Sequence, residues 1–243
     1  KMGDTGRNIC LIVVEFIGCL MLGLSQDIFR RTEKFYGGYF IFPWFVVGIM
    51  ATCYRLTGAH LNPVITVANI IRRDKPAGFS SLLALLYIPA QYAGCWGGVA
   101  LTWWFTRDPG QLTIQRKTGQ DNFWYSEAVG MEFAASFMFV LVYLSQSGRF
   151  TWTAPETGLQ ALIIGASYGS LVAWSSRRTG GSLNPAYGFG QNFWDQMDEG
   201  AKESFQFIWI YTAIPFLGMV LALAIHMLVH VPGNQHAKEK AVE

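Results

Sequence analysis

Gly58-Ala59-His60-Leu61-Asn62-Pro63-Val64 and Gly180-Gly181-Ser182-Leu183-Asn184-Pro185-Ala186 are the two stretches that decide the fold. Their Asn-Pro pairs stand 122 positions apart (184 − 62) in a chain of 243 residues, so the sequence reads as one unit written twice. Asn followed by Pro is a strong helix start. Asn is a favoured N-cap, and Pro suits the first helical position, where its missing N–H would be unpaired anyway. After Pro63 an apolar run from Val64 to Ile71 stops at Arg72-Arg73-Asp74, and after Pro185 the run Ala186 to Trp194 stops at Asp195. Runs of about ten residues rise about 15 Å as helix, half a bilayer. Two half-length helices meeting at the midplane are how a pore is built from inverted repeats.

The surroundings agree with a membrane setting. Apolar blocks over residues 9–27, 39–56, 80–105, 124–145, 158–176 and 205–230 are each long enough to predict a spanning helix. Charged residues make up 14% of the chain, against about 25% in soluble domains. A buried soluble helical domain would need polar faces at helical period, and most of these blocks lack them. Six spans and two half-helices are expected to fill the chain. The polar start, Lys1 to Asn8, runs directly into the first block, which contains Glu15 and no small-residue cleavage site. That block is predicted to be a span and not a signal peptide. Lys and Arg divide almost evenly between the two sides, so charge bias fixes neither orientation nor compartment.

Several function classes drop out. A net charge of +2 without a basic stripe gives no nucleic-acid surface. Cys10, Cys19, Cys53 and Cys95 lie in or beside apolar blocks without metal-ligand spacing, so no metal or other cofactor is expected and the thiols read as packing residues. His60 belongs to the first Asn-Pro stretch, whereas His226, His230 and His236 lie at or beyond the last block. No catalytic triad or phosphate loop is visible, and the chain is not read as an enzyme. Irregular backbone at membrane depth is tolerated only where protein buries it or where it lines a watery cavity. Gly58 to Leu61 and Gly180 to Leu183 are the candidates for that lining. Two helix N-termini at the centre would disfavour cations, and the Asn62 and Asn184 amides can donate to a solute oxygen.

Together with Glu15 in Val13-Val14-Glu15-Phe16, Glu132 in Gly130-Met131-Glu132-Phe133, and Gln91, these stretches make the chain resemble the aquaporin (major intrinsic protein) family over essentially its whole length. The resemblance implies an all-α membrane protein of six transmembrane helices plus two re-entrant half-helices, an inverted repeat in a single domain. Repeat one would cover about residues 1–120 and repeat two about 121–243. It implies a midplane formed by Asn62, Pro63, Val64, Asn184, Pro185 and Ala186, with Gly58, Ala59, His60, Gly180 and Ser182 lining the loops. Glu15 and Glu132 would anchor those loops by hydrogen bonds. The implied activity is passive passage of water and small neutral solutes, with ions and protons excluded, in a lipid-embedded homotetramer with one pore per subunit. Alternatives are a wider glycerol or small-solute channel and a pore-closed structural subunit of a larger membrane assembly.

The family pattern also marks a departure. The residue after the second tripeptide is usually Arg, and here it is Tyr187, which replaces a fixed cation by one phenol. The other filter positions implied are Phe42, Gly181 and, aligning on Gly169, Ser170; plain offset gives Val172 instead. The ambiguity rests on a stretch from Trp174 to Gly181 that reads as a loop about two residues longer than the family's. Gly181 would open space that Tyr187 could fill, and Arg177 or Arg178 in that loop could reach back to supply the lost charge. Gly94 with Gly98 and Gly165 with Gly169 read as close helix contacts. Trp103, Trp104, Phe123, Trp124 and Tyr125 read as an interfacial belt.

Overall fold

The computed structural model describes residues 3–32, 38–76, 78–107, 112, 114, 125–149, 151, 153–198 and 205–240. Phe123 and Trp124 of the expected belt lie outside the described residues. The regular structure is helical: α1 (Asp4–Thr32), α2 (Gly38–Thr57), α3 (Pro63–Ile71), α4 (Ser81–Thr106), α5 (Ser126–Ser147), α6 (Thr157–Thr179), α7 (Pro185–Asp198), α8 (Ile208–Thr212), α9 (Ile214–Ile225), a π-helical turn (His226–His230) and α10 (Val231–Lys240). Among the described residues five helical stretches are long and apolar enough to cross a membrane: those in α1, α2, α4 and α5, and the run Ile208–Gln235. At 23 residues α6 has a comparable length with a more polar sequence. Large apolar side chains such as Phe40, Trp44, Leu82, Trp104, Val220 and Leu228 are exposed on the outside, as lipid contact requires. The chain is an integral, multi-pass membrane protein.

The packing repeats in the two halves. α1 lies against α4 as α5 lies against α9, and α1 meets α2 as α5 meets α6. The half-helix α3 contacts α4 as α7 contacts α8, while α2 with α6 and α3 with α7 close the axis. Successive spans reverse direction, so α1 runs from a near face to a far face, α3 leads from the centre to the near face, and α7 leads from the centre to the far face. Glycine lets the backbones approach: a Cβ on Gly94 would collide with Phe16 O, one on Gly98 with Leu20 O, and one on Gly169 with Pro43 Cα.

One expectation is corrected here. The stretch from Trp174 onward is not a lengthened loop. It is the last turns of α6, which runs to Thr179 and ends on Gly180 in the left-handed region (φ 79°), whose N–H donates to Ser176 O at 2.8 Å. Its polar residues stay helical because their hydroxyls bond backward along the helix, Ser175 to Leu171 O and Ser176 to Ala173 O, each at 2.9 Å. The last apolar block is one spanning run over Ile208–Gln235, as expected, with its helix interrupted at Ala213, just before Pro215, and a π-helical turn over His226–His230.

Candidate functional site

Both half-helices start as their sequences require. Asn62 is extended (φ −158°, ψ 124°), and its Oδ1 accepts from Val64 N at 2.9 Å, capping α3 at Pro63. Asn184 Oδ1 accepts from Ala186 N at 3.0 Å in the same way. α3 has nine residues and α7 fourteen, so the second half-helix outruns the length its sequence suggested. Pro63, Val64, Pro185 and Ala186 are buried with their Asn neighbours at the axis.

The loops that lead to these caps share one backbone shape. Gly58, Ala59 and Leu61 have φ of 82°, 46° and 47°, and Gly180, Gly181 and Leu183 have 79°, 65° and 53°. Each position matches its counterpart at the offset of the two Asn residues. Non-glycine residues in this region cost free energy and persist only where surroundings over-determine them. Here fully buried carboxylates do so. Glu15 accepts from His60 N at 3.0 Å and Leu61 N at 2.8 Å, while Glu132 accepts from Ser182 N at 3.0 Å and Leu183 N at 2.9 Å. Glu15 also accepts from Gln91 Nε2 at 2.9 Å, and Glu132 from the Thr179 hydroxyl at 2.6 Å. The carbonyls that enter the two loops are held as well: Tyr143 Oη donates to Gly58 O, and Tyr211 Oη to the O of Thr179, the last residue of α6.

At the centre the two halves cross. Asn62 Nδ2 donates to Leu183 O at 3.0 Å, and Asn184 Nδ2 donates to Leu61 O at 2.8 Å. A primary amide nitrogen carries two hydrogens, so each Asn keeps one N–H beyond its cross-bond. These donors stand where two helix N-termini bring partial positive charge together. His60 sits toward the near face, its Nδ1 3.2 Å from Thr66 Oγ1 and its ring edge-on to Tyr87 and Tyr143. Ser182 Oγ donates to Asn184 O.

This paired, cross-bonded architecture has known counterparts. The sequence model of the family described as "Major intrinsic protein" matches residues 9–226. The chain belongs to the major intrinsic protein family. It is 28% identical over 182 residues to aquaporin-5 of Mus musculus, covering 74% of this chain and 63% of that protein. It is 28% identical over 217 residues to the glycerol uptake facilitator protein-like 6 of Lactiplantibacillus plantarum, covering 86% and 93%. It is 30% identical over 191 residues to a probable aquaporin of Archaeoglobus fulgidus, covering 74% of each. The chain thus spans somewhat under two thirds of the length of the mammalian aquaporins it matches. The X-ray structure of the aquaglyceroporin from Plasmodium falciparum shares the fold, with a TM-score of 0.76, 17% identity and 94% of this chain covered.

The far side departs from what the major intrinsic protein pattern implied for this sequence. Ser170 lies on the exposed outer face of α6, in a cleft with Phe40, Pro43, Trp44 and Val47, so it does not face the axis. Val172, two residues on, is buried, and its carbonyl lies where a Cβ on Gly181 would be. Gly181 therefore permits a close approach of loop to α6 and does not open space. Phe42 is buried and stacked on Phe29, with ring centroids 4.6 Å apart. Tyr187 is fully buried in the first turn of α7. Arg178 does not reach back to it: its Nε pairs with Glu127 Oε1 at 3.0 Å on a partly exposed surface. The arginine that meets Tyr187 is Arg30 of α1, whose Nη1 donates to Tyr187 Oη at 3.3 Å. Sequence reasoning missed Arg30, though Asp27 and Arg30 interrupt the apolar end of the first span, and charges there call for partners. It also missed Gln26, which donates to Gly181 O and accepts from Tyr168 Oη at 3.0 Å.

Near the other face, α3 ends in a second ionic group. Arg72 Nη2 donates to Asp74 Oδ2 at 2.8 Å, and His226 Nε2 lies 3.1 Å from both Asp74 oxygens. Burial acts to raise the Asp74 pKa, but hydrogen bonds from His226 and Arg72, with the Arg72 charge, hold the carboxyl well below the usual carboxylate range.

Proposed function

We propose that the protein is a passive transmembrane channel for water and small neutral solutes, excluding ions and protons at its centre. The observation that carries this reading is the crossed Asn62–Asn184 pair on two facing helix N-termini. Each amide retains a donor, and each helix end adds positive potential, so an oxygen-bearing neutral molecule is favoured there over a cation. A water that accepts from both amides has its lone pairs occupied, which breaks a proton-hopping chain. Candidate pore positions are Asn62, Val64, Asn184 and Ala186 at the midplane, His60 and Ser182 on the loops, and Phe42, Val172, Gly181 and Tyr187 toward the far face. Glu15 and Glu132 serve as anchors, and the family relationship supports a homotetramer with one pore per subunit.

A wider pore passing glycerol-like solutes is the second reading. In its favour stands the likeness to the glycerol uptake facilitator-like protein, 93% of whose length the chain covers. Stopped-flow light scattering of proteoliposomes tests both, with an impermeant osmolyte in one arm and a glycerol gradient in the other. Fast shrinkage that falls to the empty-vesicle rate in Asn184→Leu is expected, and glycerol re-swelling selects the second reading. Wild-type rates equal to empty vesicles, with the protein intact, would overturn the channel reading in favour of a structural subunit.

A further inference from the structure

The far-side charge group stands apart from everything the two repeats share. Arg30 lies in the last turn of α1, 157 residues in sequence from the Tyr187 it touches. Its guanidinium donates to Tyr187 Oη, and it also covers the start of the second loop. A Cβ on Gly180 would collide with Arg30 Nη2 and stand 2.9 Å from Arg30 Cζ and from Leu112 Cδ2. The left-handed φ of Gly180 and its missing side chain are what let the cation lie there. Arg30 thus bridges the end of α6 and the first turn of α7, the backbone strip that leads to Asn184. Asp27, one turn earlier on α1, is fully buried and lies close enough to act on both Arg30 and Tyr187.

We propose that Arg30 is the charge-selecting residue at the far-side end of the pore, held in place by the Tyr187 phenol oxygen. The inference rests on the channel reading above. A guanidinium stays protonated and offers only donors, so it repels a permeating cation and favours a solute that presents an oxygen acceptor. Its field has the same sign as the N-terminus of α7, which gives a cation two successive barriers on one path. Tyr187 is a positioning residue: its hydroxyl accepts from Arg30 and fixes the guanidinium against the loop.

The test compares wild type, Arg30→Gln, Tyr187→Phe and the double variant Arg30→Gln/Tyr187→Arg in proteoliposomes. Osmotic water flux and potassium leak are read on the same vesicles, and the ratio of leak to water flux is the measured quantity. Removing one unit charge from a narrow site of reduced dielectric is expected to raise the ratio about tenfold or more. Tyr187→Phe, which keeps every charge, is expected to give a smaller rise. The double variant, which returns a cation to α7, is expected to lower the ratio again. An Arg30→Gln ratio equal to wild type, in vesicles that conduct water, would overturn the assignment alone. Should Arg30→Gln not assemble, a wild-type ratio in Tyr187→Phe overturns it instead. A wild-type protein that passes no water overturns the channel reading, and this assignment with it.

Discussion

The two loops agree at the axis and differ at the faces. From the anchoring carboxylates to the crossed Asn amides, hydrogen bond answers hydrogen bond: Glu15 with Glu132, Leu61 with Leu183, Asn62 with Asn184. Beyond that core the correspondence stops. α3 runs out into Arg72, Asp74 and His226, a buried ionic group, whereas the first turn of α7 holds Tyr187 and the Arg30 it draws from α1. Symmetry is kept where an unpaired backbone group at membrane depth would be ruinous. It is relaxed toward the two faces, where side chains of different types meet the two half-helices.

The ionic group of α3 offers the largest break in the comparison. Removing one member of a buried pair leaves an uncompensated charge at a cost of about 3–5 kcal/mol. Arg72→Met is therefore expected to lower the thermal midpoint in detergent more than any single change at Tyr187, and equal losses at the two sites would dissolve the contrast. Next come the anchors. Replacing either carboxylate by an amide leaves one loop N–H facing a donor, a penalty of about 1–3 kcal/mol. The two are not equivalent, because Gln91 Oε1 has no hydrogen-bond partner and a flip of that amide can meet the new NH2 of Glu15→Gln. Glu132→Gln, whose third partner is the Thr179 hydroxyl, is expected to be the worse by about 1 kcal/mol in parallel thermal unfolding. An Glu15→Gln variant that is the less stable of the two would show that Gln91 cannot reorient.

A smaller effect comes with acid. The Asp74 carboxyl is held below its unfolded value, so its contribution is present above about pH 4 and is lost as pH falls through the native value. Wild-type stability is expected to decline faster below about pH 4 than that of Asp74→Asn, measured as the difference between their thermal midpoints across pH. A constant difference would remove this residue from the acid response. The smallest effect is expected at Ser170. On the exposed outer face of α6, Ser170→Ala should change stability by no more than about 0.5 kcal/mol and leave solute flux as it is. Gly181→Ala, which drives a methyl group into Val172 O, should be clearly damaging. Altered selectivity in the Ser170 variant would put that face of α6 back at the axis.

What was legible in the sequence was what repeats. The Asn-Pro pairs are local helix signals reinforced by their spacing, and Glu15 and Glu132 stand out because a carboxylate in a span needs a partner. The contacts that escaped have no echo in residue type. Arg30 and Tyr187 are 157 residues apart, and the corresponding contact of α5 with the end of α3 is carried by other residue types, Ser147 and Arg72. The end of α6 was misread because Ser175, Ser176, Arg177, Arg178 and Thr179 look like a polar loop, and only their back-bonded hydroxyls keep them helical. Ser170 followed from that misreading. The two alternative positions, Ser170 and Val172, differ by two residues, which turns the helix face by about 200°, at 100° per residue.

The crossed amides also set an order for biogenesis. Glu15, Gln91 and Thr66 are already synthesised when the first loop is to settle, and they link to one another and to that loop. The partners of Asn62 Nδ2 and Leu61 O are Leu183 and Asn184, more than a hundred residues later in translation. A half-made chain in the membrane thus holds a polar loop whose last two bonds have no counterpart yet. The inserting machinery, or water kept beside it, must shelter that loop until α7 arrives and closes both bonds together.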